Sequence, residues 1–247
     1  MKSCAVQLAS IKGDLAANLS RHLLAARQAL ERDAELVCFP ELSLTGYEPR
    51  LARQLALSPD TPLLQPLQAL CDISHASICV GLPLSIAGGV RIGMMILRPH
   101  SPRLIYTKRR LHEDEVAWFT AGEQPLIFAA GSHRVAPAIC YESMFLEHAE
   151  EARGLGADLY MVSVAKTAKG IQEGFKHYPE VARRLNLPVL MANCTGPADD
   201  FIGAGRSAAW DHRGRLVAEL DHQQQGLLMF DSRQGSAETF MLTGMAA

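Results

Sequence analysis

Short apolar runs alternate with amphipathic stretches along most of this chain. Residues 3–9 form an apolar run of strand length, and residues 14–32 follow with a helical period. In this second stretch, leucines recur at helical spacing from Leu15 to Leu23, behind Asp14 as a candidate N-cap. The pattern therefore predicts a strand that is followed by an amphipathic helix.

The same two periods continue through the rest of the sequence. The pattern predicts strands over residues 34–39, 77–84, 90–97, 104–107, 126–129, 133–140, 159–164, 189–193, 207–211, 216–219 and 226–231, and helices over 50–57, 63–74, 142–154 and 171–185. Interleaved strands and helices are typical of layered α/β folds, and the predicted hairpins favour mixed over purely parallel sheets. Because no low-complexity linker or internal repeat divides the chain, we expect a single domain over residues 1–247.

Composition and charge exclude several classes of partner. The chain is 48% hydrophobic, and its 24 Lys and Arg residues nearly balance 26 Asp and Glu residues, for a formal charge of −2. This balance provides no general attraction to nucleic acid or to an anionic membrane surface. No apolar run reaches the roughly 18 residues needed to span a bilayer, and no signal-peptide pattern precedes the first strand. We therefore expect a cytoplasmic protein.

The cysteines fit a reducing compartment and give no indication of a metal site. The six cysteines are scattered, without a C-x-x-C pair or any metal-ligand spacing. Cys4, Cys38 and Cys79 lie in apolar runs, where cysteine usually serves as a small buried hydrophobe. Cys140 differs from them because of where its strand ends.

Three predicted strands end abruptly in a reactive polar residue. Pro40 stops one strand and places Glu41 just beyond its end, while Lys108 and Cys140 follow the ends of two others. Taken singly, a solvated Glu or Lys and a buried Cys are the ordinary interpretations. Layered α/β proteins place their functional sites at strand ends, so the three side chains are candidates to meet there.

A carboxylate, an ammonium and a thiol are a sufficient set for acyl transfer. The thiolate of Cys140 is the nucleophile, and Glu41 is the natural proton acceptor because no histidine lies at a comparable strand end. Burial would raise the pKa of the carboxylate towards that of the thiol. Lys108 and the backbone N–H of Tyr141 would then stabilise the tetrahedral oxyanion.

Three segments around these residues resemble the nitrilase superfamily of carbon–nitrogen hydrolases. The base-bearing segment of that family is similar to residues 39–47, FPELSLTGY, and its lysine segment to residues 106–112, YTKRRLH. Residues 138–145, AICYESMF, match its nucleophile segment, and the likeness continues through most of the chain.

The resemblance implies an α/β fold that is a four-layer α-β-β-α sandwich with two mixed β-sheets. It also implies a homodimer or a higher homo-oligomer. A second glutamate often supports the catalytic lysine in this family. Glu115 is the better candidate for it and Glu113 the alternative. A metal site built from residues 112–115 is disfavoured, because nothing nearby completes the ligand set and the proposed chemistry needs neither a metal nor a cofactor.

The resemblance implies hydrolysis of a small-molecule amide through a thioester, with amidase favoured over nitrilase or N-carbamoyl amide hydrolase. The alternatives from other classes are an acyltransferase and a catalytically silent binding protein. Candidates for the pocket wall are Tyr141, His112, Phe119, Ser163 and Ala165. Two stretches depart from the family pattern, residues 182–187 and residues 163–167, where many relatives carry an aromatic residue after the strand. These departures leave the acyl group open.

Overall fold

Two β-sheets lie face to face at the centre of the molecule, and helices cover the outer side of each. The computed structural model describes residues 1–244. Its strands are β1 Lys2–Gln7, β2 Leu36–Cys38, β3 Ser77–Ile86, β4 Gly89–Leu97, β5 Leu104–Thr107, β6 Phe128–Ala130, β7 His133–Ile139, β8 Leu159–Val164, β9 Val189–Asn193, β10 Thr195–Ala198, β11 Phe201–Ala204, β12 Ala208–Trp210, β13 Leu216–Glu219, β14 Gly226–Asp231 and β15 Ser236–Met241. Its helices are α1 Leu15–Leu30, α2 Ala52–Leu55, α3 Gln65–Ser74, α4 Leu146–Gly154 and α5 Ala168–Leu185.

Both large sheets mix parallel and antiparallel pairs. The first has seven strands in the order β15-β14-β1-β2-β3-β4-β5, in which the neighbouring pairs β1–β2 and β2–β3 are parallel and the other four pairs are antiparallel. The second has six in the order β13-β12-β9-β8-β7-β6, with β7, β8 and β9 parallel. A separate hairpin pairs β10 with β11.

Three apolar clusters define four layers. One cluster fills the space between the sheets and includes Met94 and Ile139. A second lies under α1 and α3 on the outer side of the first sheet, and a third lies under α4 and α5 on the outer side of the second. Burial of this apolar surface is the main favourable contribution to folding. The predicted α-β-β-α sandwich with two mixed sheets is confirmed.

Local sequence explains where several helices begin. Asp14 caps α1, since its side chain accepts a hydrogen bond from the N–H of Ala17 at 3.0 Å. The predicted helices 50–57 and 63–74 are shorter than expected. Each is preceded by a 3₁₀ turn that starts at a proline, Pro49 or Pro62. Thr167 caps α5 through Gly170, so this helix begins three residues before the predicted start.

The structure differs from the predicted elements at three further places. The predicted helix 142–154 is a 3₁₀ turn over Cys140–Met144 followed by α4, and Phe145 between them is extended. The hairpin of β10 and β11 was not predicted, because Gly196 and Pro197 are poor strand formers. The edge strand β15 was also missed, since its side chains are mostly exposed and carry no apolar face. Across residues 1–244, no helix combines the length and the apolar character needed to cross a membrane.

Candidate active site

Glu41 follows β2 on a backbone segment that is held from both sides. The carbonyl of Phe39 accepts a hydrogen bond from the hydroxyl of Ser163 at 2.8 Å, which ties this segment to the second sheet. On the other side lies Gly81. A Cβ atom there would come within 2.5 Å of backbone atoms on both sides of Glu41, so only glycine fits. The carboxylate of Glu41 is almost fully buried.

Lys108, directly after β5, is fully buried between two carboxylates. Its Nζ donates to Oε1 of Glu41 at 2.8 Å and to Oε1 of Glu115 at 2.6 Å. Glu115 is itself held by the hydroxyl of Tyr47, at 2.9 Å, and by the backbone N–H of His112, at 2.8 Å. The hydrogen bonds to the remaining lone pairs of Glu115 help to offset the cost of burying this ion pair. The three charged side chains therefore form one fixed unit.

Cys140 has a left-handed backbone conformation immediately after β7. Its φ is 48°, which is uncommon for a residue other than glycine and persists only where the surroundings impose it. The hydroxyl of Ser143 donates to the carbonyl of Cys140 at 2.6 Å. The carboxylate of Glu142 accepts from the N–H of Ile139 at 2.7 Å and from the N–H of Arg109 at 2.6 Å. Glu142 thus links Ile139, which precedes Cys140, to Arg109, which follows Lys108.

Buried rings extend the support of Glu142. The hydroxyl of Tyr106 donates to Oε1 of Glu142 at 2.8 Å and lies 2.9 Å from Nε2 of His148. Burial lowers the pKa of His148 to about 4, so the ring is neutral. Since Tyr106 donates to Glu142, Nε2 of His148 must carry the proton, and Nδ1 accepts from the hydroxyl of Tyr160 at 2.8 Å.

The electrostatics place a neutral thiol beside an ionisable carboxylate. Burial raises the pKa of Glu41 to about 7; the charge of Lys108 opposes this rise and that of Glu115 adds to it. Burial and the charge of Glu41 raise the pKa of Cys140 to about 12, although Lys166 and Lys108 act in the opposite direction. At neutral pH the cysteine is therefore a thiol, and the group next to it, Glu41, is a base that is half ionised near pH 7.

Comparison with known proteins identifies the family. The model of the carbon–nitrogen hydrolase family matches residues 4–240. The chain belongs to this family. Among curated relatives, it is 29% identical over 230 residues to an (R)-stereoselective amidase from Pseudomonas sp, covering 91% of this chain and 82% of the relative. It is 25% identical over 229 residues to a glutamine-dependent NAD(+) synthetase from Acinetobacter baylyi, covering 88% of this chain. The chain spans only 42% of the length of that synthetase.

Solved structures of a nitrilase-superfamily amidase share the same fold. The amidase from Nesterenkonia sp. AN1 superimposes with a TM-score of 0.85 at 26% identity, covering 94% of this chain and 92% of that chain. One structure of that amidase carries acrylamide added at its active-site cysteine, and another holds butyramide. This carbon–nitrogen hydrolase is therefore a member of the nitrilase superfamily.

Cys140 is distinguished from the other cysteines of this hydrolase by its exposure. All six cysteines lie within the described residues; five are buried and Cys140 alone is partly exposed. Burial raises the pKa of Cys38 and Cys194 as well, and neither is bonded to a charged side chain. Among the thiols, only that of Cys140 is both partly accessible and next to a carboxylate.

The residues predicted for the pocket wall lie at different depths. His112 is exposed, and its ring meets the edge of Tyr141 with the centroids 4.9 Å apart. Phe119 is buried in the layer between the sheets, and Ala165 packs half-buried against the same layer. The hydroxyl of Ser163 donates to the carbonyl of Phe39, two residues before Glu41. Their contacts with substrate remain a prediction.

Of the two glutamates that the sequence offers, the structure places Glu115, and not the exposed Glu113, beside Lys108. It also brings to the site two residues that the sequence does not single out, Glu142 and Lys166. Glu142 lies two residues after Cys140. Its role depends on its hydrogen bond with the backbone N–H of Arg109, a contact that residue spacing in the sequence does not reveal. Lys166 is buried close to Cys140, and no pattern in the sequence distinguishes it, because lysines are so often solvated.

The acidic run beyond Lys108 does not assemble into a metal site. Nδ1 of His112 lies 2.6 Å from Oδ1 of Asp114, and both side chains are largely exposed. Over residues 1–244, no three His, Cys, Asp or Glu side chains come together in an arrangement that could hold a metal ion.

Proposed function

We propose that this carbon–nitrogen hydrolase is an amidase that cleaves small amides through a thioester on Cys140. One observation carries the proposal: Lys108 is buried between Glu41 and Glu115, and the thiol of Cys140 neighbours the same Glu41. A structural role alone does not call for a buried ammonium between two carboxylates next to a partly exposed thiol. The arrangement supplies a nucleophile, a base and a cation in contact with one another.

The first half of the reaction forms the thioester. Glu41 takes the proton of Cys140 while sulfur attacks the carbonyl carbon of the amide, so the thiol need not ionise beforehand. An ammonium has three N–H donors, and the two carboxylates take two of them, which leaves the third of Lys108 for the oxyanion. The backbone N–H of Tyr141 is the second oxyanion donor in this proposal.

The second half of the reaction releases the acid. Glu41, now protonated, gives its proton to the leaving nitrogen as the C–N bond breaks, and ammonia or an amine departs. Glu41 then removes a proton from a water molecule that attacks the thioester. Collapse of this second tetrahedral intermediate breaks the C–S bond and returns a proton to Cys140. The role of Glu115 is to hold the ammonium of Lys108 in place throughout.

Similarity to characterised proteins supports an amide as the substrate. The relatives include an (R)-stereoselective amidase, and the Nesterenkonia amidase binds butyramide, a small neutral amide. Nitrile hydrolysis through a thioimidate, hydrolysis of N-carbamoyl amides and acyl transfer to an amine or alcohol can all use the same three groups. A silent binding protein is disfavoured, because it would have no need for them. We further propose that the protein is cytoplasmic and forms a homodimer or a higher homo-oligomer.

The test is an ammonia-release screen with wild type, Cys140→Ala and Cys71→Ala. Cys71 is a buried cysteine of α3 and serves as the matched control. We expect turnover of a small amide by wild type and by Cys71→Ala, and none by Cys140→Ala. Full hydrolysis by Cys140→Ala would refute the mechanism. Hydroxamate formation in added hydroxylamine, without hydrolysis in its absence, would indicate a transferase instead.

A further inference from the structure

Lys166 is a second buried lysine close to Cys140. It lies two residues beyond β8 and immediately before Thr167, the cap of α5. Its side chain is only 8% exposed. Its backbone is fixed, since its N–H donates to Oδ1 of Asn193 at 2.8 Å and its carbonyl accepts from the N–H of Ala204 at 2.9 Å. The backbone from which the ammonium extends is therefore fixed.

The ammonium of Lys166 has no counter-charge of its own. Within residues 1–244, its Nζ forms no ion pair and no hydrogen bond, whereas Lys108 has two carboxylates. The ionisable groups that act on it are Cys140, Tyr178, Glu41 and Lys108. A largely buried cation without a counter-charge is costly, and a bound anion would remove part of that cost.

None of these neighbours supplies that anion in the resting protein. Burial raises the pKa of Cys140 to about 12, and burial likewise raises the pKa of Tyr178, so both are neutral near pH 7. Glu41 is bonded to Lys108. Burial lowers the pKa of Lys166, but the negative charge of Glu41 and the ionised forms of Cys140 and Tyr178 raise it, and the net result lies above the ordinary value. Lys166 therefore stays charged.

We propose that Lys166 binds a carboxylate of the substrate, so that the amide hydrolysed here is the monoamide of a short dicarboxylic acid. This proposal rests on the proposed amidase function. An ammonium is a compact charge that suits a single carboxylate. The carboxylate belongs to the acyl side, because on the amine side it would face Glu41, which must protonate the leaving nitrogen.

The register of the strands brings Cys140 and Lys166 to neighbouring strand ends, which favours a short acyl group. Ile139 pairs with Ser163 across the parallel strands β7 and β8, so Cys140 and Lys166 leave neighbouring strand ends. Neighbouring strands lie about 4.8 Å apart, so the two residues are close enough for a short acyl group with a spacer of about two or three carbons to be the first probe. Succinamate is therefore a suitable probe, and succinamide is its neutral match.

The experiment compares kcat/KM for succinamate and succinamide in four proteins. These are wild type, Lys166→Met, Lys166→Arg, and Lys169→Met as a control, since Lys169 is an exposed lysine in the first turn of α5, three residues after Lys166. We expect wild type and the control to prefer succinamate by about tenfold or more, Lys166→Met to have a ratio near one or below, and Lys166→Arg to retain part of the preference. A ratio that is the same in wild type and Lys166→Met overturns the proposal.

A binding measurement separates failure of this proposal from failure of the proposed function. Calorimetric titration of succinate into wild type and Lys166→Met needs no turnover. We expect binding at least about tenfold weaker in Lys166→Met, and equal affinities overturn the assignment of Lys166. If wild type hydrolyses neither of these probes nor any amide of the ammonia-release screen, the amidase function fails while this titration still tests the carboxylate site. A preference for N-acetylglycine over both succinyl probes, which moves the carboxylate to the leaving amine, also overturns the proposal.

Discussion

Replacing Glu142 with glutamine removes one buried carboxylate oxygen from the link between Lys108 and the nucleophile. Oε1 of Glu142 accepts from the N–H of Ile139 and the hydroxyl of Tyr106, and Oε2 accepts from the N–H of Arg109. A glutamine side chain has the same shape but presents only one acceptor oxygen. In its better orientation, it keeps the first two bonds and turns an NH₂ group towards the N–H of Arg109.

The expected cost follows from that one contact. A buried donor that loses its acceptor costs about 1–3 kcal/mol, with the upper part favoured here because the acceptor is charged. For a chain of this size, each kcal/mol corresponds to a fall in Tm of roughly 2–4 °C. Arg109 adjoins Lys108 and Ile139 adjoins Cys140, so kcat is expected to fall by about 10–100-fold as their alignment loosens.

The assay pairs thermal and chemical unfolding with steady-state hydrolysis of the best amide found in the screen. Glu147→Gln is the matched control, because Glu147 is an exposed glutamate of the neighbouring helix and its replacement should change stability by less than about 0.5 kcal/mol. If Glu142→Gln is as stable and as active as wild type, the link through Glu142 does not position the site, and the reasoning is refuted.

Three other predictions address the same site. The pKa of Glu41 is raised to about 7, and its protonated form cannot accept the thiol proton; kcat/KM should therefore fall about tenfold per unit below pH 7, and a flat profile from pH 5 to 8 would contradict this. Iodoacetamide followed by peptide mapping should modify Cys140 before the other five cysteines, increasingly so at higher pH, and earlier labelling of a buried thiol would count against it. Gly81→Ala should destabilise the protein and lower activity, because the new methyl group meets the Glu41 turn, whereas Gly154→Ala, which meets nothing within 4 Å, should do neither.

The sequence predicted those elements whose apolar pattern is strong and whose neighbours in the chain decide their structure. The bounds of β5, β8 and β14 agree with the predicted strands residue for residue, and most helices are right within a few residues. The sequence predicts a strand up to residue 140 and a helix from residue 142, where the structure has a 3₁₀ turn over Cys140–Met144 that starts at a left-handed residue. Backbone conformation of this kind depends on tertiary contacts.

The residues of the candidate site also divide into those that local sequence predicts and those that depend on tertiary contacts. Glu41, Lys108 and Cys140 could be predicted because each stands at a strand end and lies in a recognisable motif. Glu142 and Lys166 could not, since their importance comes from what other segments place around them. Glu142 accepts a hydrogen bond from the backbone of Arg109, and Lys166 is buried without a counter-charge. Neither property is local in sequence.

The left-handed backbone at Cys140 sets stability and turnover against each other at one position. Glycine adopts a φ of 48° freely, whereas a residue with a side chain carries a penalty of about 1–2 kcal/mol there. A mutant library selected only for thermal resistance would therefore tend to replace the nucleophile itself with glycine. Any programme to stabilise this protein must screen for turnover alongside survival, because the change that best relaxes the fold at this point also removes the thiol.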